Sequence, residues 1–172
     1  MDTVKKIEER LDRVFKDLPA LPESSRETLA SVWPWIALVF GVLQIFAAWA
    51  LWNLVRVAET MIGYSSLYVN YPDALNGTDR IVIYLGIAVL LVDAVILLMA
   101  YPELKKRSRR GWDLLFLGAL LNVFYSLVTL FIDGRGVGSF LFSLIGSAIG
   151  FYLLFQVRGK YGSVKALKDK KA

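Results

Sequence analysis

Long apolar runs separated by short polar segments dominate this chain, and four of them, at roughly 35–55, 81–101, 112–132 and 138–157, are long enough to cross a bilayer. At ~1.5 Å per helical residue, about 20 residues cover a hydrocarbon core roughly 30 Å thick. Backbone amides meet no water at that depth, so such a run crosses only as a helix. Four in succession predict an all-α fold, a membrane-embedded four-helix bundle over residues 35–157. Ahead of it, 1–18 predict a short amphipathic cytoplasmic helix and 19–34 a linker with an interfacial segment. Residues 158–172 predict a basic cytoplasmic tail.

Basic residues set the expected orientation. Seventeen of the 20 Lys and Arg residues fall in the segment before the first run, the loop between the second and third, and the tail after the fourth. The other two loops hold only Arg56, Arg80 and Arg135. Positive charge stays on the cytoplasmic side, so both termini are expected there, in a multi-pass cytoplasmic (inner) membrane protein. Trp33, Trp35, Tyr101, Trp112 and Tyr161 fall near the inner boundary, and Trp52 and Tyr84 near the outer one, where amphipathic rings settle among headgroups.

Within residues 2–18, Val4, Ile7, Leu11, Val14 and Leu18 recur at alternating spacings of three and four, the a/d pattern of a heptad. Lys5, Lys6, Arg10, Arg13 and Lys16 are balanced by Asp2, Glu8, Glu9, Asp12 and Asp17. A helix lying on anionic lipid is normally basic, so the balance favours docking on a protein partner or a second copy, with the bilayer surface or solvent as alternatives. Pro19 and Pro22 break this helix. Ser24 and Glu27 have capping-box spacing for the next one, and Pro34 is expected to kink it.

Each span carries small or polar residues along one face: Ala37, Gly41, Gln44 and Ala48, then Gly86, Asp93 and Ala100. Asn122, Ser126 and Thr129 follow in the third, and Ser139, Ser143, Gly146, Ser147 and Gly150 in the fourth. Small residues let helix backbones approach and polar ones bond across, so these faces are expected to turn inward. Counting at ~1.5 Å per residue puts Gln44, Asp93, Asn122 and Ser147 roughly 12 to 15 Å deep, near the bilayer midplane. Asp93 is the only carboxylate well inside a span, where an acid costs about 2.5 to 3.5 kcal/mol to insert. It is either part of a proton or cation path, or a neutral acid hydrogen-bonded to Asn122 or Gln44. Gly146 and Gly150 form a GxxxG whose face they share with Ser143. Close packing inside the bundle is the expectation, with dimerisation the alternative.

The loop 56–79 carries Tyr64, Tyr68, Asn70, Tyr71 and Pro72, and Asn76-Gly77-Thr78 fits both a turn and a glycosylation sequon. On the inner side, 105–110 and the tail from Arg158 are expected to attract anionic lipids.

Composition narrows the chemistry. The chain has 172 residues, of which 56% are hydrophobic, and neither Cys nor His. That removes the thiolate nucleophile, the commonest general base and the usual soft metal ligands, so no enzyme activity, metal or cofactor is expected. A formal charge of +5 arises from blocks beside apolar runs, as topology signals do, and predicts no nucleic-acid partner.

Tyr101-Pro102-Glu103-Leu104, the basic run after it and Gly111-Trp112-Asp113-Leu114-Leu115-Phe116 form a distinctive stretch, joined by Gly150-Phe151-Tyr152-Leu153-Leu154-Phe155-Gln156 at the end of the last span. This part of the chain resembles a group of small uncharacterised bacterial four-span integral membrane proteins. The resemblance implies a bacterial membrane and carries over no activity and no site residue. The expected function is a non-enzymatic membrane scaffold or accessory subunit recruiting partners through residues 2–18. The alternative is a small proton or cation channel or transporter built on the layer around Asp93.

Overall fold

The structure, a computed structural model, describes residues 2–65, 77–132 and 137–162. The described residues form helices α1 (Asp2–Lys16), α2 (Glu23–Ser65), α3 (Gly77–Lys105), α4 (Arg109–Ile132) and α5 (Val137–Val157), then a 3-10 turn at Arg158–Lys160. The protein is all-α, and α2 to α5 are each long and apolar enough to cross a membrane. It is therefore a multi-pass membrane protein. Each spanning helix packs on the next in chain order, and the seam between α5 and α2 is the thinnest in the bundle.

Several boundaries move outward from their expected positions. Helix α2 is 43 residues long and continues through the start of the expected 56–79 loop, with Thr60 Oγ1 donating back to the Arg56 carbonyl at 2.7 Å. Tyr68, Asn70, Tyr71, Pro72 and Asn76 lie outside the described residues. The helix starts at Glu23, with the Arg26 amide donating to Pro22 O at 3.0 Å, so Ser24 sits in the first turn and does not precede it.

Pro34 does not interrupt α2. A proline has no amide to give the carbonyl four residues earlier, here Ala30, which is fully buried. The Tyr161 hydroxyl supplies the missing donor at 3.0 Å. The proline thus creates the acceptor that ties the end of the chain to α2.

The core lies at the end of the bundle where α1, the start of α2, the α3–α4 connection and the 3-10 turn meet. Leu104, Trp112, Phe116 and Val157 are almost wholly buried there. Trp112 stacks on Phe116 at 5.3 Å and meets Phe155 edge-on at 5.5 Å, while Phe116 meets Phe151 at 5.8 Å. Trp112 and Tyr161, expected among headgroups, are core residues because their polar atoms find backbone partners inside: the indole N–H donates to Leu154 O at 2.8 Å, as Tyr161 does to Ala30. Trp35 and Tyr101 pair at 5.7 Å near Lys105, with Trp35 exposed.

The α3–α4 connection is only Lys106–Ser108. Arg107 takes a positive φ of 53°, the left-handed turn that ends a helix, and Ser108 Oγ accepts the Arg110 amide at 3.2 Å to cap α4. A Cβ at Gly111 would come within 2.7 Å of the Leu104 backbone nitrogen, so only glycine permits so close a turn.

Helix α1 docks on its own bundle. Phe15 stacks on Phe155 at 5.4 Å, Leu11 packs beside it, and Glu8 and Asp12 pair with Arg158 at 2.6 and 2.5 Å. The docked face is therefore Glu8, Leu11, Asp12 and Phe15, rotated from the heptad face read in the sequence. Val4, Ile7, Val14 and Leu18 stay exposed. The large ring of Phe15 and the ion pairs of Glu8 and Asp12 outweigh the smaller aliphatic side chains in choosing the face.

Candidate functional site

Asp93, midway along α3, is 4% exposed although no cation approaches it among the described residues. Two amides hold one of its oxygens: Oδ2 accepts from Gln44 Nε2 of α2 at 2.7 Å and from Asn122 Nδ2 of α4 at 3.0 Å. Asn122 also donates to Gly118 O at 2.9 Å, one turn earlier on its own helix. The other oxygen, Oδ1, rests where a Cβ at Gly118 would come within 2.7 Å. Glycine at 118 is therefore what lets α3 and α4 close around a carboxylate. Nothing in the span pattern singled Gly118 out; its signal was its place one turn before Asn122.

Three helices thus meet on one side chain, and residue counting alone brings Gln44, Asp93 and Asn122 to one depth. Ser147 is half-buried and makes no hydrogen bond to them among the described residues. Ser143 pairs instead with Ser126 at 2.6 Å, and Thr129 donates to Ser126 O at 3.1 Å. Ser139's side chain lies outside the described residues.

Two acceptors remain without donors in buried positions, Asp93 Oδ1 and Gln44 Oε1. Leaving a buried polar atom unsatisfied costs about 1–3 kcal/mol, so this centre has unused bonding capacity. Beside it opens a cleft of about 320 Å³ between α2, α4 and α5. Ile36 and Phe40 line it from α2, Leu115 and Ala119 from α4, and Gly150 and Leu154 from α5, with Gln44, Asp93 and Asn122 as its polar wall.

The expected tight packing at Gly146 and Gly150 is absent. Both are exposed, and a Cβ at either would meet nothing within 4 Å. The reason lies in the thin α5–α2 seam. The ties between α5 with its following turn and α2 with its preceding segment, among them Tyr161 to Ala30, Gln156 to Leu21 and Pro19, Tyr152 to Pro19 and Lys160 to Glu23 and Glu27, all lie at the capped end among the described residues. Beyond them the glycine face of α5 is left open.

The polar groups around Asp93 continue in one direction only. Asn122, Ser126, Ser143 and Thr129 lead away from the capped end, whereas toward it lie Leu115, Phe116, Phe151, Leu154 and Trp112. No relay of polar side chains crosses that aromatic core among the described residues.

At the capped end charges gather outside the spans. Lys160 pairs with Glu23 and, at 3.2 Å, with Glu27, and Arg107 pairs with Glu27 at 2.7 Å. The Lys160 hydrogen bond is the main reason that Glu23 and Glu27 are held below the ordinary carboxylate range, and in return Lys160 is pushed up. Burial pushes Tyr161 up to about 12. Among the described residues no three His, Cys, Asp or Glu side chains gather as a metal site would require. Comparisons with protein families, with curated proteins and with solved structures give no match.

Proposed function

We propose that this protein is a non-enzymatic accessory subunit of a bacterial cytoplasmic membrane, with its termini in the cytoplasm, and that the cleft beside Asp93 receives a transmembrane helix of a partner protein. The carrying observation is the lining of that cleft: Gln44, Asp93 and Asn122 form a polar wall among apolar side chains, and Gly150 of α5 leaves room for a backbone. Membrane helices associate through small residues and interhelical hydrogen bonds, and the cleft offers both. A wall that holds a carboxylate with no cation beside it among the described residues suits a cationic group, so the partner helix carries a Lys or Arg side chain near its middle. The spans of this chain hold no Lys or Arg at that depth, which argues against a second copy as the occupant. A proton or cation path fits less well, because the aromatic core at the capped end separates Asp93 from that surface.

The test uses defined probes. A polyleucine transmembrane peptide with one central Lys, labelled for energy transfer, is co-reconstituted with the protein, beside the same peptide without Lys. The Lys peptide binds and the plain peptide does not. Asp93→Asn keeps the shape but removes the carboxylate from the cleft wall, and weakens binding by about threefold to twentyfold, the range of single interhelical hydrogen bonds. Gly150→Trp, whose Cβ would meet nothing within 4 Å, places a ring in the cleft and abolishes binding. Equal binding of both peptides, or binding indifferent to Asp93 and Gly150, overturns the proposal.

A further inference from the structure

We propose that Arg109 and Arg158 form a binding site for the phosphate of an anionic phospholipid headgroup, and that Glu8 of α1 fills this site until such a lipid displaces it.

The two guanidinium groups converge on one platform. Arg109 Cζ lies 4.2 Å and Arg158 Cζ 5.5 Å from the ring centre of Trp112, which is itself fixed by its hydrogen bond to Leu154 O. Arg109 is also held by Asp113 at 3.0 Å, and Arg158 lies 5.8 Å from the Phe155 ring. None of these supports belongs to α1, so the platform persists without it. The residues sit where α4 begins and α5 ends, beside the apolar spans and hence at headgroup depth.

Glu8 occupies the place an anion would take. One of its oxygens accepts from both Arg109 and Arg158, and its side chain is 13% exposed on a helix that is otherwise largely solvated. Arginine recognises carboxylate and phosphate with the same planar fork, so one can replace the other. With α1 docked, the two guanidinium groups face three carboxylates, Glu8, Asp12 and Asp113. Once α1 leaves, only Asp113 remains, and the site changes from net negative to net positive. Lipid phosphate and α1 therefore compete for the same two arginines.

Release is energetically accessible. A 15-residue helix is marginal alone, and α1 is held chiefly by Leu11, Phe15 and these ion pairs. Once freed, its exposed edge of Val4, Ile7 and Val14 can lie on the bilayer, while its balanced charges leave the lipid's anionic preference to the two arginines. Anionic lipid thus favours the released state through the two arginines.

The native chain lacks cysteine, so spin labels at Val14→Cys and Arg110→Cys, both at exposed positions, report the distance from α1 to the bundle in the full-length protein. In phosphatidylcholine vesicles the expected result is one short distance. In vesicles of equal parts phosphatidylcholine and phosphatidylglycerol, at the same ionic strength, a longer population appears. Glu8→Gln shows that longer population already in phosphatidylcholine. The double variant Arg109→Gln, Arg158→Gln loses the dependence on lipid composition and reduces the motionally restricted fraction of spin-labelled phosphatidylglycerol. Release by inorganic phosphate alone in phosphatidylcholine vesicles supports the same phosphate site with a soluble anion as its source. An identical distance distribution in both vesicle types, or lipid restriction unchanged in the double variant, overturns the proposal.

Discussion

The two halves of this bundle differ in how completely they are filled. At the capped end, Trp112, Phe116, Phe151 and Leu154 interlock, Tyr161 and Gln156 tie the chain's end to α2 and the segment before it, and α1 closes the surface. Toward the opposite end, Phe131 and Phe142 are each 80% exposed, and a Cβ on Gly138, Gly146 or Gly150 of α5 would meet nothing within 4 Å. Asp93 lies at the border between them. In a bilayer apolar exposure is cheap, so the filled half cannot be explained by hydrophobicity alone and must rest on packing and hydrogen bonds. The open half is then free to accept another surface.

The largest expected contrast comes from truncating one aromatic in each half. Trp112→Ala should cost about 3–5 kcal/mol, read by unfolding in mixed micelles, because it removes a buried ring and its hydrogen bond. Phe142→Ala should stay within about 0.5 kcal/mol. Equal losses would erase the distinction. Adding volume sharpens it: Gly111→Ala forces the tight α3–α4 turn apart and should cost about 1–3 kcal/mol, whereas Gly146→Ala meets open space and should be near neutral in the same assay.

A smaller effect concerns the tie between Tyr161 and the carbonyl freed by Pro34. Tyr161→Phe leaves Ala30 O without its donor and should cost about 1–3 kcal/mol at neutral pH. The native protein should also lose stability as pH rises above 10 and up to about 12. In that window the unfolded tyrosine ionises while the buried one keeps its proton, so the folded state binds more protons; a pH series on Tyr161→Phe should lack this component. Smallest is the exposed cluster at Glu23, Glu27 and Lys160. The lowered carboxyls contribute above pH 4.5 and lose that contribution as pH falls through their folded values. The raised Lys160 contributes fully below pH 10.5 and loses it above. Lys160→Gln should flatten both limbs of the stability profile slightly.

The spans were legible because a bilayer imposes one length and one composition, and α4 and α5 start and stop within a few residues of the apolar runs. Gln44, Asp93 and Asn122 were legible as a layer because helical rise converts residue number into depth. What the sequence could not convey depends on which helices touch. The GxxxG of α5 looks the same whether its face is packed or open, and only the thin α5–α2 seam decides. The docking face of α1 was hidden because Val4, Ile7, Leu11, Val14 and Leu18 repeat more regularly than Glu8, Asp12 and Phe15, which find partners only in the folded chain. The tie at Pro34 was hidden because the carbonyl it frees at Ala30 meets its donor only once Tyr161 folds back onto α2.

The most direct measurement compares two label-to-label distances between α2 and α5 in bilayers, using cysteines at Thr28 and Gly159 near the capped end and at Leu54 and Leu141 toward the other. A narrow distribution for the first pair is predicted, unchanged by the Lys-bearing peptide, with a broad distribution for the second that narrows when the peptide binds. Equally narrow distributions for both pairs, indifferent to the peptide, would show a bundle closed along its whole length and contradict the account.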